Sequence, residues 1–179
     1  MKPIFKSEEG KAEIVNFYNN QLLNWQCPHQ EHNIETSIGE TFVIECGETH
    51  KPAVVLLHGS GTNSLMWLDD MVTLSEHFHV YAIDIPGECG KSAGNRPAWA
   101  EGHYAKWLNE LFQKLNIKKA SLIGNSTGGW IALDFSFDDM GQDVALFGLA
   151  GRQATCSAAL MLVGATILMA WQSSGRWRR

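Results

Sequence analysis

The stretch Ser121-Leu-Ile-Gly-Asn-Ser-Thr-Gly-Gly129 constrains this chain more than any other. Residues 121–123 read as the end of a buried strand, and residues 130–135, Trp-Ile-Ala-Leu-Asp-Phe, read as the first turns of a helix. Between them Gly124-Asn125-Ser126-Thr127-Gly128 fits the pattern G-x-S-x-G, a serine on a sharp strand-to-helix turn. Such a turn strains the serine backbone and lifts the side chain above the sheet edge. It also brings the residues two before and two after into contact, so neither can carry a side chain of any size. Gly124 and Gly128 meet that demand, and Gly129 gives further room where helix meets strand. Ser126 is therefore the candidate nucleophile. A plain Gly-Ser loop spells the same five letters, but it would not need a strand before and a helix after.

At 179 residues the chain can hold one well-cored domain and not two ordinary ones. Its 45% hydrophobic and 18% charged content is that of a globular protein. A net charge of -5 with no basic run argues against nucleic acid as a partner. Cys27, Cys46, Cys89 and Cys156 form no C-x-x-C pair, so neither a zinc site nor a disulfide framework is expected and a reducing compartment fits. The N-terminus turns acidic at Glu8-Glu9 before any apolar run develops. That is not a signal peptide, and the expected location is cytoplasmic.

Ser7 before Glu8-Glu9 is a helix start, and Ile14, Phe17, Tyr18, Gln21, Leu22 and Trp25 then mark one helical face. Residues 27–32 read as a loop whose His29 and His32, lacking a third ligand nearby, are solvated rather than metal-bound. Residues 33–47 alternate and break at Gly39, the pattern of an antiparallel hairpin. Ala53-Val-Val-Leu-Leu57 is a continuous apolar run, expected of a strand covered on both faces. A helix is expected over 64–77, a buried strand over 80–84, a helix over 98–115, and a strand leading to Ser126. Residues 143–149 offer a further strand of sorts.

Two loops carry the remaining motifs. His58-Gly59-Ser60-Gly61-Thr62-Asn63 follows the strand 53–57, and Asp84-Ile-Pro-Gly-Glu-Cys-Gly-Lys-Ser92 follows the strand 80–84. Gly90-Lys91-Ser92 imitates the end of a phosphate-binding loop. Ile85 stands where the first glycine of that motif belongs, Pro86 lacks an N–H to donate, and Gly94 to Pro97 break the chain where a helix should start. Nucleotide binding is rejected on those grounds.

With the His-Gly loop, an Asp-x-Pro-Gly loop and the G-x-S-x-G turn in that order, the chain resembles the α/β-hydrolase family from about residue 53 to 135. The resemblance implies a three-layer α/β/α hydrolase-type sheet, mostly parallel, of which this chain carries the N-terminal part. It implies that the backbone N–H groups of Ser60 and Thr127 form an oxyanion hole, two fixed donors aimed at one point. Gly61 could share or replace the role of Ser60. His58 is better read as ordering its loop than as a catalytic base, and His103 as an exposed helical residue. No cofactor and no metal are implied.

The resemblance stops after the serine. The family order is Ser, then Asp or Glu, then His, yet all seven histidines lie before Ser126. Asp134, Asp138, Asp139 and Asp143 are the acids that follow, and Asp134, on the helix leaving the turn, is poorly aimed for a triad. The triad acid and histidine are not found. Composition also changes: Lys, Asn, Glu and His are absent from Met140 onward, where Arg152, Arg176, Arg178 and Arg179 gather. A truncation, a shifted frame or a fused segment after about residue 137 would explain the break. Residues 154–171 are an uncharged run of 18, the minimum for a membrane span, though Thr155, Ser157, Gly164 and Thr166 weigh against one. An apolar tail packed on an exposed sheet edge is preferred.

The expected organisation is 1–32, a helix and loop packed on the domain; 33–139, the N-terminal half of an α/β-hydrolase core; and 140–179, an atypical apolar tail. The expected activity is a serine hydrolase acting on carboxylic esters, carboxylesterase-like, with Ser126 as nucleophile and a small-molecule acyl substrate. Haloperoxidase, carbon–carbon hydrolase and acyltransferase chemistry use the same constellation. The rival reading is a hydrolase-like remnant or binding domain without turnover. Self-association is expected through the sheet edge beside the serine strand if later strands are missing.

Overall fold

Apolar runs place the sheet, and the segments between them place the helices. A computed structural model describes residues 4–98, 102–137 and 143–147. The elements are α1 (Glu8–Asn24), β1 (His29–Thr36), β2 (Gly39–Cys46), β3 (Ala53–Leu57), α2 (Leu68–Ser75), β4 (His79–Ile83), α3 (His103–Lys114), β5 (Ala120–Asn125), α4 (Thr127–Phe137) and β6 (Asp143–Phe147). One six-stranded sheet runs in the order β1-β2-β4-β3-β5-β6. The pairs β4–β3, β3–β5 and β5–β6 are parallel, and β1–β2 and β2–β4 antiparallel. The expected neighbours are thus in place, with the apolar run of β3 at the centre.

Two apolar layers sandwich this sheet. On one face Tyr18 and Leu22 of α1 and Met71 of α2 pack on Phe42, Ile44, Val54, Leu56 and Ala82. On the other, Trp107, Leu108, Leu111 and Phe112 of α3 and Ile131 and Phe135 of α4 pack on Val55, Leu57, Ile83 and Leu122. The inward set of α3 falls at the i, i+3, i+4 spacing that its sequence displays. Asn116, at φ 55°, then turns the chain out of the helix.

Several expectations need correction. His29 and His32 lie in β1 rather than in a loop, and β1 pairs with β2 along its whole length from His29↔Cys46 to Thr36↔Gly39. As the solvent-facing edge strand, β1 carries almost no apolar signal. His32 Nε2 and His79 Nε2 each lie 2.5 Å from an oxygen of Glu45, tying β1, β2 and β4 together. The helix expected over 64–77 opens as a 3-10 turn at Ser64–Trp67 before α2 begins. On α1 only Tyr18 and Leu22 are buried; Phe17, placed on the buried face by its spacing, is 60% exposed. The edge beside the serine strand is not open: β5 pairs with β6 from Ser121↔Asp143 to Asn125↔Phe147, so among the described residues the outer strand on that side is β6. The apolar run 154–171, Asp138 and Asp139 lie outside the described residues. No helix among the described residues is long and apolar enough to cross a membrane.

Candidate active site

Strand order fixes where a ligand can reach the sheet. The chain leaves β3 toward α2 on one face and leaves β5 toward α4 on the other, while β3 and β5 are direct neighbours. Their connections diverge, and such a divergence marks the crevice, beyond the carboxyl ends of the two strands, where open α/β sheets bind ligands. The His-Gly loop and the serine turn border that crevice.

At the turn, Ser126 has φ 50°, in the left-handed region that non-glycine residues avoid. A Cβ on Gly124 would stand 2.4 Å from Gly128 C and Gly129 N, so the residues on either side of the serine do press together. A Cβ on Gly128 would meet Leu57 O at 2.2 Å and His58 O at 2.6 Å, which shows how closely the turn backs onto the end of β3. Gly59 in turn lies against Asn125, its Cβ position 3.5 Å from Asn125 O. Two backbones therefore approach at the crevice through glycine alone. Trp130 N–H donates to Ser126 O at 3.1 Å, making Ser126 the residue that opens α4. The first N–H groups of α4, Thr127 among them, consequently have no acceptor within the helix and face its start.

The His58 ring is fully buried and committed on both sides. Ile85 N–H donates to its Nε2 at 2.8 Å, and Nδ1 lies 2.8 Å from Gly59 O. A backbone N–H can only donate, so Nε2 is the acceptor and the ring proton sits on Nδ1, where it donates to the Gly59 carbonyl. Burial holds the imidazole below its ordinary range, against the opposing pull of the Asp84 and Glu88 carboxylates, and keeps it neutral. His58 thus orders the loop, as its sequence context predicts, and has no lone pair to offer Ser126.

Beyond His58 the loop is tied to the Asp84–Ser92 segment by several hydrogen bonds. Glu88 Oε2 accepts Gly61 N–H at 2.8 Å, Asn63 Nδ2 donates to Cys89 O at 2.8 Å, and Asp84 Oδ1 accepts Ser64 N–H at 2.7 Å. Asp84 is fully buried and also accepts the Tyr18 hydroxyl at 3.1 Å and Lys91 N–H at 2.7 Å. Burial first, and the Asp84 charge second, push the Tyr18 phenol far above its ordinary value. The Gly-Lys-Ser decoy is absorbed in the same network: Lys91 Nζ pairs with Glu31 at 2.8 Å over the Phe42 ring, and Ser92 Oγ donates to Asp84 O at 2.6 Å.

The fold brings the turn bearing Ser126 and Thr127 together with the loop bearing Ser60. Among the described residues it brings no histidine with a free nitrogen beside the serine. His29, His50, His77 and His79 sit toward the opposite, amino-terminal end of the parallel strands, and His32 is paired to Glu45. His103 opens α3 and lines a cavity of about 500 Å³ with Arg96 and Lys106, a cavity that Ser126 does not line. Asp134 is exposed on α4. Glu88 and the hub role of Asp84 had no signal in the sequence beyond their place in the Asp-x-Pro-Gly loop. Among the described residues no group of three or more His, Cys, Asp or Glu is arranged to hold a metal ion.

Comparison with known proteins agrees with this fold. The model of the alpha/beta hydrolase family matches residues 54–178. The uncharacterized carboxylesterase nap of Bacillus subtilis is 36% identical over 118 residues, 66% of this chain and 39% of that protein. Carboxylesterase YbfK of Bacillus subtilis is 29% identical over 131 residues, 73% of this chain and 44% of that protein. The crystal structure of Bacillus subtilis carboxylesterase CesB (YbfK) superposes with a TM-score of 0.72 at 26% identity, covering 79% of this chain and 50% of that one. That of Bacillus subtilis naproxen esterase gives 0.68 at 30% identity with the same coverage. The chain thus spans half, or less, of the length of these relatives.

Proposed function

The chain belongs to the alpha/beta hydrolase family, and on that premise we propose that it carries the nucleophile and oxyanion hole of a serine carboxylesterase. Ser126 Oγ attacks the acyl carbon of an ester. Thr127 N–H, at the start of α4, and Ser60 N–H, on the His-Gly loop, donate to the oxygen that becomes negative. The alcohol leaves with a proton, and water then releases the acyl group from Ser126. Donors fixed in the backbone need no reorganisation as charge develops, which is why such a hole commonly supplies the largest single catalytic contribution. The observation that carries the reading is Ser126 at φ 50° between two glycines that no other residue could replace.

A second reading has its own support. The one histidine beside the elbow, His58, spends both nitrogens on the backbone, and no histidine follows Ser126. A hydroxyl without a neighbouring base is a poor nucleophile. In serine proteases, loss of the histidine alone costs roughly a millionfold in turnover, and the oxyanion hole with binding retains about a thousandfold over water. This chain, taken alone, is then a hydrolase-like domain with very slow turnover.

Mass spectrometry after exposure to a serine-directed phosphonate, with hydrolysis of a short activated ester alongside, tests both readings. The nucleophile assignment expects slow labelling confined to Ser126 and lost in Ser126→Ala. Equal labelling of wild type and Ser126→Ala would overturn it. Ester turnover at ordinary esterase rates, lost in Ser126→Ala, would overturn the second reading and require a base from among the seven histidines.

A further inference from the structure

Glu88 is 4% exposed, and a carboxylate so deeply buried needs partners that compensate for its lost hydration. Those partners sit on the crevice. Glu88 Oε2 accepts Gly61 N–H at 2.8 Å, Ser60 Oγ lies 3.3 and 3.4 Å from its two oxygens, and Arg96 Nη2 donates to Oε1 at 2.8 Å. Arg96 is itself anchored, with Nε and Nη2 donating to Gly87 O at 3.2 and 2.8 Å. Gly87, at φ +85°, is the residue that permits this approach: a Cβ there would stand 2.7 Å from Arg96 Cβ and 2.8 Å from Arg96 Cα. Carboxylate, guanidinium and glycine form one clamp on the loop that bears Ser60.

We propose that Glu88, held by Arg96, is a positioning residue for the oxyanion loop: by taking the Gly61 N–H it fixes Ser60 as the loop's donor beside Ser126. The catalytic half of this statement rests on the function proposed above; the loop geometry does not. Ser60 and Gly61 are adjacent, and either N–H could serve on sequence grounds alone. With Gly61 N–H directed at Glu88, a peptide unit on the far side of Ser60 is pinned. The Ser60 N–H, which takes no acceptor among the described residues, is left to donate elsewhere. A lone carboxylate beside a developing oxyanion would repel it, and the Arg96 charge on the opposite oxygen of Glu88 offsets that repulsion. Neither residue touches the reacting atoms.

The test uses the full 179-residue chain labelled with ¹⁵N, comparing wild type with Glu88→Ala and Glu88→Gln. Gly61 lies on an exposed turn, so protection of its amide reports the Glu88 contact directly. A charge-assisted bond of this length predicts that Gly61 exchange is slower in wild type than in Glu88→Ala by about tenfold or more. Glu88→Gln, which keeps an acceptor, falls between them. Phosphonate labelling of Ser126 is expected to slow by about tenfold in Glu88→Ala and to be largely rescued in Glu88→Gln, less than outright loss of an oxyanion donor would cost, because the Ser60 N–H is loosened and not removed. Should Glu88→Ala not fold, Arg96→Gln on the half-exposed partner carries the same comparison, with Gly61 exchange quickened and its proton resonance moved. Unchanged Gly61 exchange in every folded variant overturns the proposal, as does unchanged Ser126 labelling where wild type labels. If wild type does not label at Ser126, the enzymatic reading fails while Gly61 exchange still decides whether Glu88 sets the loop.

Discussion

Replacing Asp84 should cost this fold more than replacing any surface acid, and the size of the loss can be worked from its contacts. The carboxylate is fully buried and accepts three donors: Ser64 N–H at 2.7 Å, Lys91 N–H at 2.7 Å and the Tyr18 hydroxyl at 3.1 Å. Two of these are backbone groups whose direction the chain fixes; the Tyr18 hydroxyl can rotate. A buried donor left without an acceptor costs ~1–3 kcal/mol, so Asp84→Ala, which orphans the two fixed ones, should lose about 4 kcal/mol. Asp84→Asn keeps one oxygen and turns an NH₂ toward one backbone N–H, so it should lose about half as much. Against a total stability of roughly 5–15 kcal/mol these are large fractions. A domain of this size should melt about 8–16 °C lower for the alanine variant. Urea unfolding followed by circular dichroism measures the change, and Tyr18→Phe, expected at about 1 kcal/mol, separates the rotating donor from the fixed ones. The consequence should reach the crevice, because Ser64 N–H anchors the residue directly after the His-Gly loop. Asp84→Ala stability within about 0.5 kcal/mol of wild type, the range of ordinary surface substitutions, would refute the reasoning.

Gly128→Ala drives a Cβ to 2.2 Å from Leu57 O, a backbone atom that cannot rotate away; the loss should reach or exceed the ~3 kcal/mol upper end of ordinary overpacking, read as a collapse in soluble yield and melting temperature. Ser126→Gly should raise stability by about 1 kcal/mol in the same melts, because glycine alone adopts φ 50° without strain, while phosphonate labelling disappears. His58 titrates below its ordinary value of 6.5 in the folded chain because burial favours the neutral ring. Below 6.5 the unfolded state therefore binds more protons, so this contribution to stability is complete above 6.5 and is lost as pH falls toward the lower folded value. Urea midpoints from pH 5 to 7.5 should show a steeper decline in wild type than in His58→Gln, and equal slopes would count against it.

What the sequence made legible was whatever depends on the backbone or on a repeating apolar pattern. Gly124 and Gly128 announce a close approach because no other residue fits it: a Cβ on either would stand 2.4 or 2.2 Å from neighbouring backbone atoms. The runs of β3 and β4 announce buried strands, and the spacing from Tyr104 to Phe112 announces the inner face of α3. The hairpin expected over 33–47 is present as β1 and β2, but residues 29–32 of β1 were missed because that stretch of an edge strand with one face in water has no apolar run; its evidence is its pairing with β2. Phe17 misled for the opposite reason, since helical spacing says which residues share a face and not how far the sheet extends beneath them. Glu88 was invisible because its meaning lies in Gly61 and Arg96, 27 and 8 residues away, and no local pattern encodes a polar contact at such distances.

This division between backbone and side chain also separates what the chain supplies to chemistry from what it does not. The nucleophile turn and oxyanion loop proposed above are properties of backbone: two glycines, a left-handed serine, a helix start and a pinned loop would place them. All of these lie between β3 and α4, inside one sheet whose central strands pair in register. A catalytic histidine is a side chain that must be carried to the serine by another element, and in the family order it arrives after the acid. The two parts contribute at different scales, about a thousandfold over water for hole and binding against a further factor near a million for the triad in proteases. They are therefore separable by experiment. Supplying the missing group from outside, as free imidazole, should accelerate acyl transfer from an activated ester to Ser126 in proportion to the imidazole concentration. If the proposed hole is built, the acceleration should exceed that seen with Ser126→Ala, where imidazole acts on the ester in solution alone. Identical rates for the two proteins at every imidazole concentration would mean that the serine lacks a working oxyanion hole, and the backbone half of the machinery would have to be given up as well.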